Sequence, residues 1–138
     1  MKEKSCGAIV YKKENNKLEF LLVYQSNGNY GFPKGHMEDG ETELETTVRE
    51  IKEETNLDVD VDENFRCETS YLMEAKNVIK EVVYFVAIPN TFDLKNQEGE
   101  INECNWYNYD EVKSKLKFEN VKEIFSKAYN YIKEKESL

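Results

Sequence analysis

Three glutamates raise the first chemical question. Glu50, Glu53 and Glu54 lie three and four residues apart inside Glu43 to Thr55, a stretch whose pattern predicts a helix. At about 100° per residue they gather within about 100° of the wheel. Leu44, Val48, Ile51 and Thr55 fall within about 60° of one another and are expected to face the core, with the carboxylates on the side away from Leu44. Like charges at this spacing destabilise a helix by a few tenths of a kcal/mol per pair, so the cluster asks for a cation. Arg49 and Lys52 could supply it as a salt-bridged solvated face, with Glu45 and Arg49 four apart in the favourable order and Arg49 also in reach of Glu53. A divalent metal could supply it instead. Hard oxygen ligands select magnesium or manganese, and there is no Cys or His cluster of the kind zinc requires.

Charge bookkeeping gives the cluster weight. The 138 residues carry 28 Asp and Glu against 19 Lys and Arg, a formal charge of -9 with one His. Between Lys34 and Asp60 stand 10 acidic and 3 basic residues, so this segment contributes -7 of the -9. The chain shows no basic stripe of the kind that binds nucleic acid by releasing counterions. Lys113, Lys115, Lys117 and Lys122 are interleaved with acidic and apolar positions and read as a solvated helix face. No stretch approaches the roughly 18 apolar residues of a membrane span, and the N-terminus lacks the apolar run of a signal peptide. Cys6, Cys67 and Cys104 are odd in number and unpaired in spacing, as expected of reduced thiols in a cytoplasmic protein. The length suits one domain, 1–138, and 9 Tyr and 7 Phe with many aliphatic residues provide a core.

The elements around the cluster follow from pattern and punctuation. Ser5 to Tyr11 and Leu18 to Tyr24 read as strands joined by a hairpin at Asn15-Asn16. Gln25 to Gly40, with Gly28, Gly31, Pro33, Gly35 and Gly40, reads as an irregular loop. Thr42 and Glu45 form a capping box that starts the helix, and Asn56 stops it. Leu57 to Val61, Phe65 to Met73, Val78 to Ile88 and Ile101 to Tyr107 are candidate strands. Val121, Ile124, Phe125, Ala128, Tyr129 and Ile132 recur at helical spacing and predict a closing amphipathic helix, with a frayed tail at Lys133 to Leu138. The fold class is α+β.

Read from Gly35, GHMEDGETELETTVREIKEETNL resembles the Nudix box. Gly35, Glu41, Arg49, Glu50, Ile51, Glu53, Glu54 and Leu57 match its pattern at the required spacing, and Asn56 stands where the pattern has its last Gly. Asn tolerates a left-handed backbone better than other residues with side chains, so the turn is expected to survive. Gly31 to His36, Val82-Val83-Tyr84, and Glu100 six residues before Trp106 look like the asymmetric diadenosine tetraphosphate hydrolase branch of that superfamily.

The resemblance implies a Nudix fold, a mixed β-sheet sandwiched between helices (α/β/α). It implies a Mg2+-dependent hydrolase, with Mn2+ as the alternative ion, that splits a pyrophosphate link in a small-molecule nucleotide, foremost diadenosine tetraphosphate into ATP and AMP. Modified nucleoside triphosphates, triphosphorylated RNA 5′ ends, and a nucleotide-sensing module without catalysis are the alternatives. By the same resemblance Glu50, Glu53, Glu54 and Glu100 hold metal, and the Lys34 carbonyl adds a ligand. Glu50 is the expected general base, with Glu54 and Glu100 behind it. Arg49, counted with the catalytic set, pairs with Glu41 to brace loop against helix, while Gly35 and Asn56 shape the motif. Lys34, His36 and Lys80 are expected at substrate phosphate and Tyr84 against a base; Phe32 and Trp106 are expected to pack. No membrane and no stable nucleic-acid complex are expected.

Overall fold

The computed structural model describes residues 2–95 and 101–138. In chain order the elements are β1 (Lys2–Glu14), β2 (Lys17–Gln25), β3 (Tyr30–Gly31), β4 (Lys34–His36), α1 (Glu43–Thr55), β5 (Val59–Met73), one 3-10 turn (Glu74–Lys76), β6 (Val78–Pro89), β7 (Ile101–Tyr107), α2 (Tyr109–Lys115) and α3 (Glu119–Lys135). Among the described residues the strands form one mixed sheet in the order β3-β2-β1-β6-β5, with β4 added beside β1 and β7 beside β2. Strands β1 and β6 run parallel over Lys2 to Val10, and the remaining pairs are antiparallel.

Strand β1 is central because its run from Ser5 to Tyr11 is buried on both faces. Cys6, Ala8 and Val10 join Val83, Phe85 and Ala87 under Ile51 of α1. Ile9 and Tyr11 join Val82, Tyr84 and Val86 on the opposite face, under Ile124, Phe125, Ala128 and Ile132 of α3. The result is the expected helix–sheet–helix sandwich. The hairpin between β1 and β2 turns on Asn15 and Asn16, both at positive φ (53° and 62°), the conformation a two-residue turn demands.

The structure corrects several boundaries. The segment expected to be wholly irregular contains β3 and β4, because Lys34, Gly35 and His36 pair with Gly7, Cys6 and Ser5. The two strands expected at Leu57 to Val61 and Phe65 to Met73 are one strand with a register shift between Asp62 and Arg66, a bulge that bends a strand without ending it. Helix α2 is an addition to the expected elements; its Asn108–Glu111 capping box satisfies the exposed N–H groups of a segment too short to show periodicity. The tail is held rather than frayed. The Tyr11 hydroxyl donates to Glu136 Oε2 at 2.6 Å, and Lys135 Nζ donates to Asp62 Oδ2 at 2.8 Å. The three cysteines are thiols, as expected, and burial pushes those of Cys6 and Cys104 up to about 11, which keeps them unreactive.

Candidate active site

Two glycines let β1, β4 and α1 approach closely. Gly7 of β1 lies against the Pro33 carbonyl and the Lys34 Cβ, and any side chain there would overlap them. Gly35 of β4 lies against the Glu50 carboxylate in the same way. Strand β4 is then fixed from both sides, by its register with β1 and by the Lys34 N–H, which donates to Glu54 Oε1 at 3.2 Å. Helix α1 starts at the Thr42–Glu45 capping box and stops at Asn56, which takes the left-handed conformation (φ 68°). Asn56 also does something Gly could not: its side-chain amide donates to the Asp93 carbonyl at 2.9 Å.

The helix is rotated relative to its apolar stripe. Leu44 and Val48 are only half-buried, whereas Thr46, Thr47, Ile51, Glu54 and Thr55 are buried. The buried face is therefore turned toward the carboxylates, and Glu54, expected on the solvated side, is 6% exposed. The physical reason lies outside the helix. The space beside Gly35 admits a carboxylate, and Thr46, Thr47 and Thr55 satisfy their own hydroxyls against Thr42, Glu43 and Ile51 carbonyls one turn back, so they tolerate burial.

Arg49 organises the acidic side. Its Nε and Nη2 fork onto Glu41 at 2.7 and 2.9 Å, Nη2 also donates to the His36 carbonyl at 2.9 Å, and Nη1 donates to Glu50 at 2.8 Å and Glu53 at 3.2 Å. Glu41 in addition accepts from the Glu38 N–H and the Thr46 hydroxyl, both at 2.9 Å. With Arg49 beside it the Glu41 carboxyl is held at about 2, and the Arg49 pKa is raised in turn. The expected brace of Arg49 on Glu41 is in place. Its guanidinium is committed to these partners.

These side chains border a cleft of about 540 Å³ whose lining brings Glu38, Arg49, Glu50, Glu53 and Glu54 together with Ser5, Lys34, His36 and Lys80. Gln25, Ser26 and Asn27 also line it. Burial first, and then the neighbouring Lys80, push the Lys34 pKa down, while Glu54 and Glu50 act against that shift. His36 is exposed, with Nε2 3.6 Å from Glu3. Lys34, His36, Lys80 and the three glutamates thus share one cleft, although Lys80 is 26 residues beyond Glu54 in sequence. Glu100 lies outside the described residues.

Tyr84 requires a correction. It is 3% exposed and packs edge-on to Phe32 at 6.1 Å, so neither face of its ring is open to a base. Strand alternation sends its side chain into the α3 core, because β6 places Val82, Tyr84 and Val86 on one face. Tyr71, opposite Lys80 in the β5–β6 register, is 44% exposed and lies on the same sheet face beyond the core. Phe32 is fully buried and Trp106 sits beneath Lys12 Nζ at 4.8 Å, so both pack as expected. Sequence pattern does not single out Gly7, Ser5 or Tyr71. A signal for Ser5 does exist: it is a hydroxyl at the start of an otherwise apolar central strand.

The site fits a hard divalent cation by its chemistry. Its donors are carboxylate oxygens, and one arginine faces Glu38, Glu41, Glu50 and Glu53. Among the described residues, no group of three potential ligands is already converged. Arg49 draws Glu50 and Glu53 to its own Nη1, while Glu54 leans to the Lys34 N–H.

The NUDIX domain model matches residues 1–129. The chain is 29% identical to an asymmetrical bis(5′-nucleosyl)-tetraphosphatase of Sus scrofa, over 94% of this chain and 95% of that protein. It is 33% identical to the Caenorhabditis elegans protein of the same name, over 75% and 77%. Its fold superposes on a crystal structure of a C. elegans Ap4A hydrolase binary complex with a TM-score of 0.85 and 27% identity, covering 94% of this chain and 97% of that one.

Proposed function

The chain belongs to the NUDIX family, and on that premise we propose that this hydrolase, whose class of reaction is cleavage of a pyrophosphate link, acts on diadenosine tetraphosphate to give ATP and AMP. We take residues 1–138 as one such domain, working in the cytoplasm with magnesium. The observation that carries the reading is the gathering of charge in one cleft, whose lining holds carboxylates in excess over Arg49 together with Lys34 and Lys80. Resemblance to the curated relatives, which are named for this substrate class, favours it over other pyrophosphates.

Nudix hydrolases generally use a divalent ion, which when bound here by Glu50, Glu53 and Glu54 would screen phosphate charge and acidify a water. The protein's own residues account for the rest. Lys34 and Lys80 bind the polyphosphate oxygens as point charges, and burial, which lowers the Lys34 pKa, leaves its ammonium short of water that an anion would replace. Glu50 is the proposed base: water adds to phosphorus, its proton passes to a Glu50 carboxylate oxygen, and the bridging oxygen leaves with the second phosphate. Arg49 holds that carboxylate by Nη1 and so fixes where the proton is received. Tyr71 replaces Tyr84 as the ring for base stacking, since it is exposed beside Lys80.

The test is incubation with a panel of dinucleoside polyphosphates, modified nucleoside triphosphates and triphosphorylated RNA, with and without magnesium, with products resolved by mass. Equimolar ATP and AMP from diadenosine tetraphosphate, dependent on magnesium, is the expected outcome. Preference for another member of the panel would replace the substrate. Binding without turnover of any member would make the protein a sensing module.

A further inference from the structure

The sheet face that carries Ile9, Tyr11, Val82 and Tyr84 into the core under α3 continues beyond that core into the cleft, and the change from apolar to polar falls at Ser5. Strand register pairs Ser5 with His36 on one side and Val82 on the other. Lys34 and Lys80 stand two residues from these partners, so alternation brings their side chains to the same face as Ser5. The contact of the Lys34 Cβ with the Cβ position of Gly7 puts Lys34 there independently.

Ser5 is 1% exposed and its hydroxyl has no hydrogen-bond partner among the described residues. Buried polar groups are nearly always paired, and an orphaned hydroxyl lowers stability where alanine would not. Its neighbourhood narrows the missing partner. Lys34 and Lys80 offer only donors, and they stand close enough for Lys80 to bear on the Lys34 pKa. Glu3, the acid on the same strand face, is engaged with His36 Nε2 at 3.6 Å, so a further group that accepts hydrogen bonds and carries negative charge would complete all three, and a phosphate oxygen is such a group.

We propose that Ser5 is a substrate-binding residue, its hydroxyl donating to a non-bridging oxygen of the substrate's polyphosphate chain between the Lys34 and Lys80 ammoniums. The assignment rests on the phosphate-binding role of this cleft given above and extends it to a residue outside the Nudix box. Because the contact is made to ground state and transition state alike, it acts on affinity rather than on the chemical step.

The experiment compares the full-length protein with Ser5→Ala in three measurements: steady-state kinetics on diadenosine tetraphosphate, calorimetric binding of inorganic tripolyphosphate without metal, and thermal unfolding. The expected result is a KM and a tripolyphosphate Kd each raised about tenfold, as for a hydrogen bond to a charged group, with kcat within about twofold and Tm equal or higher. Equal tripolyphosphate affinity in the two proteins would overturn the Ser5 assignment while leaving the function standing. A lowered Tm with unchanged KM would mark a structural hydroxyl and overturn it too. A parent protein that neither binds tripolyphosphate nor turns over any member of the panel would overturn the function, and the Ser5 assignment with it.

Discussion

Arginine grips helix α1 at two places. Near its N-terminus Arg66 of β5 forks onto Glu43, with Nε and Nη2 both at 2.8 Å, and Lys4 of β1 reaches the same carboxylate at 2.5 Å. Farther along the helix Arg49 meets Glu41, Glu50 and Glu53, with Glu38 at 3.9 Å. The first network sets two cations against Glu43 and Glu68 and is balanced. In the second, among the described residues, Arg49 lies within 3.9 Å of four carboxylates. Both use the same types of side chain at similar distances, so geometry alone does not separate a brace from a site. Charge balance does: a balanced network is complete as it stands, and an acidic excess beside a cleft has room for a further cation.

Removing a carboxylate from each network should therefore have opposite consequences. Glu50→Gln is expected to cut turnover about a thousandfold with the thermal transition preserved, since it relieves the excess and removes the proposed base. Near-normal turnover would remove Glu50 from that role. Next in size is Gly35→Ala, whose methyl group would displace the Glu50 carboxylate; a shift of about 1 Å at a reacting group costs on the order of a hundredfold in kcat/KM. A Gly35→Ala variant as active as the parent would show that the position of Glu50 is not set by β4.

Magnesium sharpens the contrast in a readout independent of turnover. A ligand that binds only the folded state at about 100 times its Kd adds about 2.7 kcal/mol of stability. The parent and Glu43→Gln should both gain Tm with added magnesium, while Glu54→Gln should gain less; an equal gain in all three would dissociate the ion from the acidic excess. Acid dissects the balanced network. With Arg66 and Lys4 beside it, the Glu43 carboxyl is lowered from 4.5 to about 2. Its ion pairs contribute fully above the unfolded value near 4.5, and the contribution is lost as pH falls from there through about 2. Glu43→Gln should lower neutral-pH stability by about 1 kcal/mol and flatten part of the acid decline in Tm. Glu41, held at about 2 by Arg49, titrates in the same window and keeps the remainder. An unchanged acid limb would show that the Glu43 pairs do not stabilise the fold. The smallest effect is expected at Asn56→Gly, where relief of a left-handed side chain offsets the lost bond to Asp93 and leaves stability within about 0.5 kcal/mol of the parent in thermal unfolding.

The part of the protein legible in the sequence is the part whose determinants are local. The capping box, the helix stop, the Asn-Asn turn and the spacing of Arg49 to Glu41, Glu50 and Glu53 each depend on residues within about two helical turns, so pattern suffices. The misreadings have non-local causes. A wheel gives the apolar stripe of α1, but the packing partner decides its rotation, and here the helix sets the Glu50 carboxylate against Gly35 and buries Glu54 under the Lys34 N–H. Tyr84 resembles a stacking platform because it is an aromatic residue within a matched motif; its parity with Val82 and Val86 buries it.

By itself the sequence determined where the charge is concentrated, that one helix carries it, and that Arg49 and Lys52 are the cations within helical reach of it. Those are statements about neighbours along the chain, fixed by bond geometry and residue type. The tertiary structure alone decided which charges face each other. The parallel pairing of β1 with β6 brings Lys80 opposite Glu3, two residues from Ser5, and the antiparallel pairing of β1 with β4 brings Lys34 and His36 from the other side. Strand register is set by packing over both sheet faces at once. The gathering of Lys34, His36 and Lys80 around Ser5 therefore had no local signature that pattern could display.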